Sequence, residues 1–306
     1  MVQDPKEVVE NPASYDADPF QALYEALAAE AWADVMKKPH DKEKWLYDKR
    51  PPVRFRASEA GNCARRIYYR LIGAVPTPDP ADLKLKQFEG NLQQDVVRSL
   101  FKEHNIPIEG IVFGEDGTQE ETLAAQKEFE VDMGDGTTST VTVSARADGR
   151  FPNLEGGSAI FEFKTIDHFK NYWLQKTYDG HFGTKGNDAV LERIETKHGY
   201  YDGQMQITMA IFGDDQTYFG AKNRSAVAYG LETPDGLRTG VFVPRDEGKI
   251  KTILRTFAGI KEAVETGKPP PAKLDGSMEC SFCPFYYQCH GKMKRGKVIY
   301  PNEEGP

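Results

Sequence analysis

Two acids and an amine near the middle of the chain have the types and spacing for hydrolytic chemistry: Asp148, and Glu162 two positions before Lys164. Thr140–Ala145 and Ser158–Lys164 alternate apolar and polar residues as strands do, and successive strand side chains point to opposite faces. Glu162 and Lys164 therefore share one face, and Phe161 and Phe163 on the other can anchor the strand in a core. Asp148 follows the preceding strand, where its carboxylate can meet that of Glu162. Two carboxylates at one point repel each other and call for a divalent cation, typically Mg²⁺ bound through oxygen with several waters retained. Such an ion activates water and offsets charge on a phosphodiester. Lys164 can position the water or stabilise the negative charge that develops. An exposed strand alternating Glu and Lys would show the same letters without any chemistry.

A second constellation is built on sulfur. The chain has four cysteines, Cys63 near the front and Cys280, Cys283 and Cys289 near the end. One site using all four must bring the two ends of the fold together. Soft thiolates select zinc or an iron–sulfur cluster over hard cations. The step Cys280-Ser-Phe-Cys283-Pro284 is typical of cluster ligation, and Phe285, Tyr286 and Tyr287 can shield a cluster from water. A zinc site and core thiols without a ligand are the other readings.

The order Asp148 then Glu162-Phe163-Lys164 resembles the Asp…Glu-x-Lys core of the PD-(D/E)xK nuclease superfamily, which includes RecB-type and lambda-exonuclease-type enzymes. Gly90 to Gln94 stands where RecB-type enzymes have Gly-x-x-x-His, with both ends on one helical face. Gln94 replaces that histidine, or the glutamate of lambda-type relatives, with a weaker metal ligand. Tyr200-Tyr201-Asp202-Gly203-Gln204-Met205-Gln206 resembles the superfamily's Tyr-x-x-Gln-x-Gln helix. RecB-type relatives have tyrosine four positions after that glutamine, where this chain has Thr208. Cys63, Arg65, Arg66, Tyr68 and Tyr69 resemble the cysteine–arginine–tyrosine helix of CRISPR-associated and recombination-associated iron–sulfur exonucleases. The cysteine bracket resembles the iron–sulfur staple of RecB-type nucleases, and the match runs from about Phe55 to Gly291.

This resemblance implies an α/β, restriction-endonuclease-like core: a small mixed sheet flanked by helices. A [4Fe–4S] cluster on Cys63, Cys280, Cys283 and Cys289 would join the N- and C-terminal segments. It also implies Mg²⁺ or Mn²⁺ on Asp148 and Glu162, with Lys164, Gln204 and Gln94 completing a catalytic set. The implied substrate is DNA, cut by an exonuclease in recombination or CRISPR adaptation alongside the proteins of those processes. A cluster-bearing DNA-binding or adaptor protein with a silent site is the rival reading, and Gln94 and Thr208 give it weight.

The elements that must position these residues are legible in part. Residues 1–50 are expected to form an acidic, partly disordered helical leader, disordered to residue 19 and helical from Phe20 to about Lys38, and residues 51–300 the nuclease domain that the resemblance implies. Ser58 is the expected N-cap of a helix carrying Cys63, Tyr68, Tyr69 and Ile72, closed by Gly73. Asp82 can cap a helix whose apolar side is Phe88, Leu92, Val96 and Leu100. Lys127–Asp132 and Thr140–Ala145 pair through Gly134-Asp135-Gly136, a strong hairpin signal. A helix is expected near Asp167, then a polar loop from Gly180 to Asp188. Tyr200–Phe212 reads as a helix with Met205, Met209 and Phe212 inward. Thr217–Gly220, Ala226–Tyr229 and Gly240–Val243 read as strands. Asp246–Glu265 is an amphipathic helix, stopped by Gly267 and Pro269-Pro270-Pro271. Helices around a small mixed sheet make one α/β domain.

The net charge of −8 argues against a nucleic-acid partner until its distribution is considered. Residues 1–34 hold eight acids and one lysine, so the rest of the chain carries only −1. Arg50, Arg54, Arg56, Arg65, Arg66 and Arg70 surround Cys63, while Lys292, Lys294, Arg295 and Lys297 follow Cys289. A shared cysteine site would merge these stretches into a patch able to bind DNA phosphates by counterion release. Arg65, Arg66, Lys292, Lys294 and Arg295 are its expected contacts, and separate solvated faces are the plainer alternative. No apolar run is long enough to span a bilayer, and the acidic start lacks the pattern of an export signal. The expectation is a cytoplasmic protein with reduced thiols.

Overall fold

The long amphipathic segment at 247–266 forms as its pattern requires. Asp246 accepts the Lys249 N–H at 3.0 Å as its N-cap, and Gly267 ends it in the left-handed region at φ 69°. The computed structural model describes residues 53–77, 90–91, 93–94, 96–101, 103–113, 119–154, 157–166, 191–192, 194–195, 199–223, 231–232, 238–239, 241–272, 280 and 283–290. The acidic leader, the helix near Asp167, the Gly180–Asp188 loop, the Ala226–Tyr229 strand, the Asp82 cap and Lys292, Lys294 and Arg295 fall outside them.

In chain order the elements are β1 (Arg54–Arg56), a 3-10 turn (Ala57–Glu59), α1 (Ala64–Leu71), a helical stretch between residues 90 and 103, β2 (Ile111–Phe113), β3 (Gln119–Asp132), β4 (Thr138–Ala147), β5 (Gly149–Leu154), β6 (Gly157–Ile166), α2 (Gly199–Phe212), β7 (Gln216–Asn223), β8 (Leu231–Glu232), β9 (Arg238–Thr239), β10 (Val241–Pro244), α3 (Glu247–Thr266) and α4 (Tyr286–His290). The architecture is mixed α/β, but instead of the single small sheet expected the described residues form two four-stranded sheets, ordered β1-β4-β3-β2 and β10-β7-β6-β5, and an antiparallel β8-β9 pair. Each four-stranded sheet is mixed: β1 lies parallel to β4 and β6 parallel to β7, while the other neighbours run antiparallel. The chain passes from the first sheet to the second at a single residue, Asp148, between β4 and β5.

The β3–β4 hairpin forms at the expected glycines. Gly134 and Gly136 take φ of 90° and 88°, and Asp135 accepts the Thr137 N–H at 2.9 Å. The strands are longer than the alternation suggested, because continuous pairing from Leu123–Ala147 to Asp132–Thr138 carries them past it. Two helix expectations are corrected. Ser58 belongs to the 3-10 turn, and α1 begins after Cys63, which caps it through the backbone alone. On the stretch between 90 and 103, Val96 and Leu100 are each 37% exposed, while Val97 is buried and Phe101 packs beneath it. The apolar stripe is therefore shifted by one residue. Burying rings against Phe151, Phe161 and Phe163 favours the face that carries Phe101.

Helix α2 holds the sheets together. Its Ile207 and Ala210 enter the core formed by the first sheet with α3, where Phe55 stacks on Phe257 at 4.5 Å. Its Met205 and Met209 enter a second core with Ile160, Phe219, Val241 and Val243. A helix buried on both sides needs close neighbours, and Gly203 supplies one approach: a Cβ there would lie 3.0 Å from the Ala60 carbonyl carbon.

Candidate active site

Strand alternation sets the geometry of β6. Phe161 and Phe163 are buried in the aromatic cluster under residues 97 and 101. Glu162 and Lys164 take the other face, toward α2, where Gln204 Nε2 donates to Glu162 Oε1 at 2.8 Å. The Lys164 amine forms an ion pair with the same oxygen. Asp148, at the junction of the sheets, accepts the Phe163 N–H at 2.9 Å through Oδ2. Gln94 reaches the same carboxylate oxygen at 3.4 Å and also donates to the Phe163 carbonyl at 3.2 Å. All five expected residues, Asp148, Glu162, Lys164, Gln94 and Gln204, thus meet at one place, drawn from four separate segments of chain.

The electrostatics of the pair are unusual. Glu162 is only 2% exposed. Burial raises its pKa to about 7 and the Asp148 charge adds to the rise, against the opposing pull of Lys164 and Gln204. Burial works against the charged Lys164 amine, but Glu162 and Asp148 together hold its pKa above the usual lysine range. A buried carboxylate that feels a second one is the setting a divalent cation relieves. Among the described residues no group of three or more His, Cys, Asp or Glu side chains could hold a metal ion. Two carboxylates nevertheless suit Mg²⁺, which fills its shell with water and phosphate oxygens. Thr208 does not line this cleft as an aromatic would: it is buried, and its hydroxyl donates to the Gln204 carbonyl at 2.8 Å.

One neighbour was missed from the sequence. Arg98, one turn beyond Gln94, is buried, and its Nη2 lies 3.3 Å from Asp148 Oδ1. The Gln94-x-x-x-Arg98 spacing was the available signal, but an arginine in a helical pattern usually points to solvent.

Cys283 comes within reach of the Cys63 and Cys280 charges, although among the described residues no group of three or more cysteines could hold a metal ion. No disulfide joins any of the four. Burial pushes the Cys283 thiol up; the Phe285 N–H and Arg66 lower it, and Cys63 and Cys280 raise it further. Tyr69, raised chiefly by burial, feels both Cys289 and Cys283. Direct bonds tie the early and late cysteine-bearing segments here: the Thr77 N–H to the Pro284 carbonyl at 2.7 Å, and the Tyr69 hydroxyl to the Gln288 carbonyl at 2.8 Å. Arg65 is turned inward, with Nε on the Pro270 carbonyl at 2.5 Å and Nη1 3.8 Å from Cys289 Sγ.

The sequence matches no protein-family model, and no curated protein matches it. Among solved structures, the chain is similar to the crystal structure of SSO0001 at a TM-score of 0.44 and 16% identity, covering 88% of this chain and 97% of that one. It is also similar to LHK-Exo in complex with dAMP, at a TM-score of 0.35 and 15% identity over 81% and 94% of the two chains. A further likeness is to an alkaline exonuclease (LHK-Exo) from Laribacter hongkongensis, with a TM-score of 0.37 and 14% identity over 74% and 94%. No helix among the described residues is long and apolar enough to cross a membrane.

Proposed function

We propose that the protein is a metal-dependent deoxyribonuclease acting from DNA ends, with the PD-(D/E)xK arrangement in residues 51–300. The observation that carries this reading is that the buried Glu162 feels the charge of the partly buried Asp148, with an amine and two amides around the two carboxylates. Asp148 and Glu162 would hold one Mg²⁺ or Mn²⁺ ion, which when bound supplies an activated water and offsets phosphodiester charge. Gln204 keeps the Glu162 carboxylate oriented. The Phe163 N–H and Gln94 keep that of Asp148. Lys164, charged and beside Glu162, neutralises negative charge as it builds on the phosphate.

Cys63, Cys280, Cys283 and Cys289 would hold a [4Fe–4S] cluster. The effect of Cys63 and Cys280 on the Cys283 thiol, and the Tyr69–Gln288 hydrogen bond between the early and late cysteine-bearing segments, support that assignment. A zinc ion draws its sulfurs to about 2.3 Å from a single point, whereas a cluster gives each thiolate its own iron and needs only a surround. The cluster would act as a crosslink made in the folded chain alone. Arg66, with Lys292, Lys294 and Arg295 in the segment after Cys289, would contact DNA phosphates. Arg65 adds charge there while its guanidinium is held on Pro270 and Cys289. Partners in recombination or CRISPR adaptation, in a cytoplasmic setting, suit such an enzyme.

The test is cleavage of end-labelled linear and of circular DNA by anaerobically purified protein with Mn²⁺. Linear DNA should be degraded and circles spared. A folded Lys164→Ala protein should cleave roughly a hundredfold more slowly, the scale of one lost transition-state contact. No cleavage by a folded, iron-loaded wild type would overturn the enzyme reading and leave a DNA-binding protein.

A further inference from the structure

The groups around the two carboxylates form matched sets. Glu162 has a cation and an amide, Lys164 and Gln204, both on Oε1. Asp148 likewise has a cation and an amide, Arg98 on Oδ1 and Gln94 on Oδ2, with the Phe163 N–H as a third donor. Arg98 is 4% exposed, so its guanidinium is a fixed interior charge. Gln94 and Arg98 sit one turn apart on the same helical stretch, and Val97 between them is buried against Phe151, Phe161 and Phe163. The aromatic cluster thereby fixes the helix face that aims both side chains at Asp148.

Charge decides what such a site can accept. With both carboxylates ionised, the Lys164 amine and the Arg98 guanidinium balance them as a group, and among the described residues no third acid joins them to hold a metal. One divalent ion brings an excess that a bound phosphodiester and retained water can offset. A second ion about 4 Å from the first, the spacing of two-metal sites, would stand near a guanidinium in a low-dielectric interior, where like charges repel strongly.

We infer that Arg98 is a positioning residue that occupies the second-cation position on Asp148, so that the site works with a single divalent metal ion. This rests on the nuclease reading above. Arg98 holds the Asp148 carboxylate at one oxygen while the Phe163 N–H and Gln94 hold the other, and its charge does the electrostatic work of a second ion.

The experiment counts Mn²⁺ by calorimetric titration of the full chain, taking as specific only the binding that Glu162→Gln removes. Melting curves and the Mn²⁺ dependence of single-turnover cleavage are measured beside it. Wild type should bind one Mn²⁺, with a hyperbolic metal dependence of cleavage. Arg98→Lys, which keeps the charge, should still bind one. Arg98→Met should bind Mn²⁺ roughly tenfold more tightly, or take up a second ion, as one fixed charge is removed from beside the metal. It should also cleave at least about tenfold more slowly, because Asp148 loses a holder. A merely structural arginine would instead lower affinity and melting temperature together, and that result overturns the inference. If Arg98→Met does not fold, wild-type stoichiometry and Arg98→Lys decide. Two specific Mn²⁺ ions in an active wild type would sink this inference and leave the nuclease reading standing. Neither Mn²⁺ nor cleavage in a folded wild type would remove both.

Discussion

Replacing Glu162 with glutamine should change how stability depends on pH, and the size of the change follows from its burial. The carboxyl is raised from the usual glutamate value of 4.5 to about 7, by burial first and by the Asp148 charge second. A proton held more tightly by the folded than by the unfolded chain stabilises the fold. That contribution is complete below about 4.5 and is lost as pH rises through about 7. Across this window the loss is on the order of 3 kcal/mol, since each pKa unit is worth about 1.4 kcal/mol. At about 2–4 °C per kcal/mol for a domain of this size, the melting temperature should fall by roughly 10 °C from this group alone. Glutamine mimics the protonated acid at every pH and so removes the slope. The assay is scanning calorimetry of metal-free wild type and Glu162→Gln from pH 5 to pH 8, read as the difference between the two. The curves should approach each other near pH 5 and separate as pH rises, with the glutamine variant the more stable at pH 8. Adding Mn²⁺ at pH 8 should restore the wild type, where the ionised carboxylate gains a partner, and do little for the variant. A constant offset across the whole range would refute the account of Glu162 as a buried acid kept near neutrality.

Three further outcomes are expected. Phe163→Ala should cost about 3–5 kcal/mol of stability in chemical denaturation, since the ring is buried among Phe161, Phe151 and Val97; near-normal melting would mean that the faces of β6 are reversed. Gly203→Ala should destabilise by about 1–3 kcal/mol through overpacking, because its Cβ would meet the Ala60 backbone at 3.0 Å; a neutral melt would show that α2 can move aside. Anaerobically prepared protein should contain about four irons per chain, and Cys280→Ser should lose them together with some folding stability. One equivalent of zinc with negligible iron would replace the cluster by a zinc site.

Local geometry made much of the site legible in advance. Alternation along one strand is a property of its own backbone, so Glu162 and Lys164 could be assigned to one face and Phe161 and Phe163 to the other. The glycines of the β3–β4 turn, the Asp246 cap and the stripe of α3 are equally local, since each depends on dihedral angles or hydrogen bonds within a few residues. The rest required the assembled chain. Val96 and Val97, and Leu100 and Phe101, give two overlapping apolar stripes one residue apart, and only the aromatic cluster beneath decided between them. That choice aimed Gln94 and Arg98 at an acid in a distant part of the sequence. β1 is three residues long and exists as a strand through its parallel pairing with β4. The division into two four-stranded sheets likewise lay in pairing partners, which a hydrophobic period does not encode. Residue type and spacing determined which side chains were able to do chemistry. Which of them share a buried space, and what charge that space already holds, was decided by contacts between segments far apart in the chain.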